Sequence, residues 1–245
     1  MKRRYTILLV LLIILLSAYG LYIRYENKRM STANNTSPEH IETSPSEDNN
    51  TVSAKNNTPE PAFAAEAGDA PLAIIVESSG TDASVSMYER DDIGSWTKLL
   101  ETSGYVGSDG VGEASEDRTA TPEGVYNITY AFGILPDPGC GIDYLTVDDS
   151  YYWVDDTDSK YYNRFVSTDD VAPDWDSAEH ITEVGYPYNY VLAFDYNADC
   201  IPGKGSAFFL HCTQNKPTHG CITVPEEDMV SILRHLQPGC VIIIH

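Results

Sequence analysis

The chain has 245 residues, with 37 acidic side chains against 15 Lys and Arg and a formal net charge of −22. The first thirty residues hold six basic side chains and one acidic one, a net +5, so the remainder carries −27. A surface this acidic repels phosphate polymers, which argues against nucleic acid as a partner and against tight adhesion to anionic membrane or wall polymers.

Lys2, Arg3 and Arg4 precede an almost unbroken apolar run from Tyr5 to Ile23, and Arg24, Lys28 and Arg29 follow it. About twenty apolar residues span a bilayer as a helix, whereas the apolar core of a secretory signal is usually about 7 to 15 residues. Residues 1–30 therefore read as a cytoplasmic tip and a transmembrane signal anchor, oriented by the positive-inside bias. A cleaved signal ending near Ser17-Ala18-Tyr19-Gly20 is the alternative, and the basic flank beyond it favours the anchor. Residues 31–70 turn to Asn, Ser, Thr, Pro, Glu and Ala, too poor in large apolar side chains to offset the entropy of ordering. They read as a disordered, extended stalk outside the membrane.

Residues 71–245 have the size of one domain. Runs rich in Val, Ile, Tyr, Thr and Phe, bounded by Gly, Pro, Asp and Ser, predict strands over 72–77, 84–89, 125–132, 144–147, 151–154, 190–196, 207–212 and 241–245. The fold class expected is mainly β, a sandwich or barrel-like arrangement. One helix is predicted near the C-terminus. Pro225 suits a first helical turn, Glu226, Glu227 and Asp228 suit the positive end of the dipole, Met229, Ile232, Leu233 and Leu236 share a face, and Pro238-Gly239 ends it. Asp155-Asp156-Thr157-Asp158-Ser159 lacks the turn glycine and distal glutamate of a calcium loop and reads as a polar loop.

The chemistry lies between His211-Cys212 and Thr218-His219-Gly220-Cys221. A thiol becomes a competent nucleophile when a histidine takes its proton or lowers its pKa. Nine residues separate His211 from Cys221, so a short loop can bring them together, whereas His219 in a tight His-Gly-Cys turn points away. Gly220 permits backbone conformations closed to other residues, and the N–H groups of His219, Gly220 and Cys221 could converge on an oxyanion, worth about 3 to 4 kcal/mol per donor. Five cysteines outside the membrane leave an odd one, and Cys221 is the one expected free. A Cys140–Cys200 pairing is the first guess for the rest, and full reduction is the alternative. A metal site made of His211, Cys212, His219 and Cys221 matches no familiar zinc spacing, and neighbours on a strand face opposite ways; no metal or cofactor is expected.

With these residues the chain resembles an L,D-transpeptidase catalytic domain of the YkuD type over most of residues 72–245. Besides the His–Cys motif, Gly104-Tyr105-Val106-Gly107, Thr121-Pro122-Glu123-Gly124, Tyr152-Trp153-Val154-Asp155-Asp156, Tyr162-Asn163, Tyr196-Asn197 and Gly203-Lys204-Gly205-Ser206 carry the likeness. The resemblance implies a β-sandwich catalytic domain with one short helix after the catalytic cysteine. It further implies that Cys221 attacks an amide of a peptidoglycan stem peptide, that His211 is its base, and that the backbone carbonyl of Cys212 orients the imidazole. A thioester to the third stem residue then passes to an amine of a neighbouring stem, giving 3→3 cross-links without a metal or cofactor. The chain departs from the commoner pattern in the short His–Cys spacing, in Cys212 after the histidine and in Thr223 two residues past the cysteine. Water as acceptor would make the domain an L,D-carboxypeptidase, and a non-catalytic wall-binding module is the third reading. The expected setting is a single-pass membrane protein whose catalytic domain faces the cell wall, with a monomer as the default.

Overall fold

The computed structural model describes residues 60–245. The predicted anchor over 1–30 and the stalk as far as residue 59 lie outside the described residues. Among the described residues no helix is long and apolar enough to cross a membrane.

The described part is mainly β. A short helix, α1 (Ala64–Ala67), leads into the antiparallel strands β1 (Leu72–Ser79), β2 (Asp82–Arg90) and β3 (Trp96–Tyr105). There follow β4 (Val111–Gly112), β5 (Thr121–Pro122), β6 (Gly124–Gly133), β7 (Tyr144–Thr146), β8 (Tyr151–Val154), β9 (Arg164–Ser167) and β10 (Ala178–His180). Helix α2 (Ile181–Val184) and a 3-10 turn (Tyr186–Asn189) then precede β11 (Val191–Phe194), β12 (Phe209–Cys212), β13 (Ile222–Val224), α3 (Glu226–His235) and β14 (Val241–Ile244).

Nine strands form one sheet in the order β11-β12-β13-β3-β2-β1-β14-β6-β7, and β11 also pairs with β6. The sheet thereby closes on itself, with β7 appended to β6. This corrects the expected sandwich: closure removes most free edges and leaves a curved single sheet in place of two facing ones. A separate three-stranded sheet, β10-β8-β9, packs beside it.

Strand β1 shows why its sequence is apolar without alternation. Leu72, Ile74 and Val76 join the main core with Val85, Met87, Leu210 and Ile222, while Ala73 and Ile75 face a second cluster with Phe63, Ala67 and Ile243. A strand buried on both faces needs apolar residues at every position. Phe63 packs tilted against Tyr88 and edge-on against Trp96, at 4.6 and 5.3 Å between ring centroids, so packing begins ahead of residue 71. Helix α3 matches its expected span, and Met229, Ile232 and Leu233 are fully buried.

Gly104, expected in a turn, sits instead near the end of β3, where a Cβ would come within 1.7 Å of the Thr223 carbonyl oxygen. Only glycine allows β3 to cross β13 this closely. No disulfide forms: all five cysteines are free. Cys200 points its thiol at the carbonyls of Ala198 and Asn163, at 3.5 and 3.7 Å, whereas Cys140 packs against the main core. The guessed Cys140–Cys200 pairing is therefore absent.

Candidate active site

Strands β12 and β13 run parallel and adjacent, with His211 opposite Thr223 and Leu210 opposite Ile222. Cys221 lies two residues before Thr223, and side chains repeat faces every second residue. The strand register therefore puts Cys221 and His211 on one face, and both line the same cavity of about 380 Å³.

The His211 Nδ1–H donates to the Cys212 carbonyl at 3.0 Å. A carbonyl only accepts, so this bond fixes the tautomer and leaves Nε2 as the acceptor. Burial lowers the His211 pKa to about 4, against the pull of the Cys212 bond. The Cys221 thiol donates to the Ala207 carbonyl at 3.2 Å. Its pKa is pushed well up, first by burial and then by the charge of Glu179, with the Phe209 N–H opposing. The pair therefore rests as neutral thiol and neutral imidazole.

The turn carrying Cys221 is built by threonines. Thr218 Oγ1 accepts from the Gly220 N–H at 3.0 Å and donates to the Cys221 carbonyl at 2.6 Å. Thr121 Oγ1 accepts from the Gly107 N–H at 2.8 Å and donates to the Gly220 carbonyl at 2.7 Å, tying the Thr-Pro-x-Gly element to the turn. Gly220 has φ 140°, and a Cβ there would stand 2.4 Å from the Phe208 ring, so glycine is required on both counts. Its N–H is already engaged by Thr218, unlike the expected convergence of three free donors. His219 is exposed and lines the same cavities as Cys221. Neither threonine role was read from the sequence, although Thr121 stood in a quoted motif.

Two further residues were not foreseen. The Tyr188 hydroxyl donates to Glu179 Oε2 at 2.5 Å, and the Tyr188 ring meets the His211 ring edge-on at 5.3 Å. A second, smaller cavity of about 190 Å³ lies on the other side of Cys221, with Asp155, Glu116, Arg118 and Glu179 in its walls. The loop read as merely polar thus delivers Asp155 to the site. Among the described residues no group of His, Cys, Asp or Glu is arranged to hold a metal ion.

Asn163 supports the Ala207 carbonyl that receives the thiol. Its Oδ1 accepts from Trp153 Nε1–H at 2.9 Å and from the Ala207 N–H at 3.2 Å, and its Nδ2 donates to the Asn197 carbonyl at 2.9 Å. Asn163→Ala leaves buried donors without acceptors and is expected to cost about 2 kcal/mol. For a domain of this size that is a drop of roughly 4–8 °C in melting temperature by calorimetry.

His211 and Cys221 thus line one cavity, with a glycine turn beside the thiol and an imidazole oriented by a backbone carbonyl. Residues 97–244 match the family model of the YkuD L,D-transpeptidase catalytic domain, and the chain belongs to that family. No curated protein matches it significantly.

Proposed function

We propose that the protein is an L,D-transpeptidase that uses Cys221 as nucleophile and His211 as base on peptidoglycan stem peptides, forming 3→3 cross-links in wall assembly. The observation that carries this reading is the cavity shared by His211 on β12 and Cys221 just ahead of β13, with Nδ1 of His211 held by the Cys212 carbonyl. Nε2 then takes the thiol proton, sulfur attacks the amide carbonyl after the third stem residue, and the proton passes to the departing amine of the terminal residue. The N–H of Gly220 must leave Thr218 before it can serve an oxyanion. The resulting thioester is opened by an amine of a second stem.

The anchor over residues 1–30 would hold this domain on the outer face of the membrane, towards the wall. The reading is tested by incubating the full-length protein with disaccharide tetrapeptides and weighing the products by mass spectrometry. Dimers heavier than two substrates less two terminal residues, by one such residue, are the expected result. Shortened monomers alone would make it a carboxypeptidase, and unchanged substrate with no protein adduct would leave a wall-binding module.

A further inference from the structure

Glu179, Cys221 and His219 are the residues that line both chambers of the site. Glu179 sits on β10, a short strand held against β8 by the pairing of Glu179 with Trp153. Its one side-chain bond is from the Tyr188 hydroxyl, and among the described residues no Lys or Arg pairs with it. A structural carboxylate in so closed a place is normally matched by a cation or several donors. Tyr188 engages one oxygen and leaves the other for the cavity.

The position is also wrong for helping the thiol. A negative charge near Cys221 disfavours the thiolate, so the carboxylate works against acylation unless a cation comes to meet it. The smaller chamber supplies the same sign: Asp155 Oδ1 is buried with no hydrogen-bond partner, Glu116 is bonded by the Tyr162 hydroxyl, and Arg118 is the one cation in its walls. His211 and Lys216 lie on the larger chamber's side. This asymmetry fits a peptide acyl group in the larger chamber and an ammonium group in the smaller.

We infer that Glu179 is the residue that binds the ammonium group of the acyl acceptor and takes its first proton, which rests on the transpeptidase reading above. The ammonium docked on the carboxylate transfers one proton to it and becomes a free amine. The amine nitrogen attacks the thioester carbonyl, the new C–N bond forms as the C–S bond breaks, and the second amine proton passes through His211 to the departing sulfur. Glu179 then loses its proton to solvent. Burial pushes the Glu179 pKa up to about 7, opposed by the Tyr188 bond and assisted by Asp155, so the carboxyl can both hold and release a proton near neutrality.

The test separates the two halves of the reaction in the full-length protein. The donor is a stem tetrapeptide with its side-chain amine acetylated, and the acceptor is a tripeptide with that amine free. For Glu179→Gln, formation of the acyl adduct, followed by intact-protein mass, is expected to hold at the wild-type rate or to rise, since a charge that disfavours the thiolate is gone. The ratio of aminolysis to hydrolysis is expected to fall about ten- to a hundredfold, and its rise through about pH 7 to flatten. Tyr188→Phe keeps the carboxylate but frees it from its orienting bond, and is expected to give an intermediate ratio. Glu179→Asp is expected to recover part of the loss. An unchanged ratio in Glu179→Gln overturns the inference, as does an equal fall in both half-reactions, which would mark a packing role. Absence of any adduct in wild type would instead remove the transpeptidase reading itself.

Discussion

Cys221→Ala is expected to abolish both the acyl adduct and every product, while leaving the fold intact. In the reading proposed above the sulfur forms the covalent intermediate, and deleting a nucleophile from an acyl-transfer enzyme lowers turnover by about six orders of magnitude. The structural cost is small because the thiol makes a single weak bond, to Ala207, and its removal vacates one atom at the wall of an existing cavity. A change in stability below about 1 kcal/mol is expected, so the melting temperature should shift by no more than a few degrees. Intact-protein mass after exposure to tetrapeptide gives the decisive measurement. An adduct persisting in Cys221→Ala would move the nucleophile elsewhere, and none of the other four cysteines lines either chamber. Cys212, the one nearest in sequence, is fully buried, bonded to the Tyr190 carbonyl, and raised by burial to a pKa of about 12.

The His–Cys pair was legible because its geometry is local: a β-strand ending in histidine, nine residues, a glycine turn, then a second strand. The parallel pairing of β12 with β13 was not legible, since a connection this short more often makes an antiparallel hairpin. Glu179 was not legible, because it reaches Cys221 from a three-residue strand inside the polar segment 172–180 and depends on long-range packing of Trp153 between Phe132 and Phe209. Strand β3 escaped notice for a different reason. Trp96-Thr97-Lys98-Leu99-Leu100-Glu101 breaks strict alternation, and its partner strand slips register between Met87 and Tyr88, so the periodicity of two is lost within the bulge. Runs with both faces buried, as in β1 and β14, were the easiest to place, since no other location suits four consecutive aliphatic residues. Closure of the sheet depends on β6 pairing with β11, a contact between residues about sixty positions apart that no local pattern records.

His211→Gln carries the second large expected effect. Glutamine fills much the same space and keeps a donor for the Cys212 carbonyl, but it cannot take a proton from sulfur, so acyl-enzyme formation is expected to fall by about 10²- to 10⁴-fold. The pH profiles make the role specific. With the wild-type imidazole pKa lowered to about 4, the base is already neutral above that value, so loss of adduct formation through His211 protonation should set in only below about pH 5. Stability should follow the same group with a defined sign. An unfolded histidine takes up a proton near pH 6.5, and the folded one resists until about pH 4. The unfolded state therefore binds more protons between these values, and stability falls as pH drops through the window, by on the order of 3 kcal/mol. Glu179 runs the other way. Its carboxyl holds a proton in the folded state up to about pH 7 and in the unfolded state only to about 4.3, so its contribution is present in acid and lost as pH rises. His211→Gln removes the first dependence and spares the second, so the variant's melting temperature should rise towards acid pH relative to wild type. Melting-temperature profiles of the two proteins that run parallel between pH 4 and 7 would rule out the buried neutral imidazole.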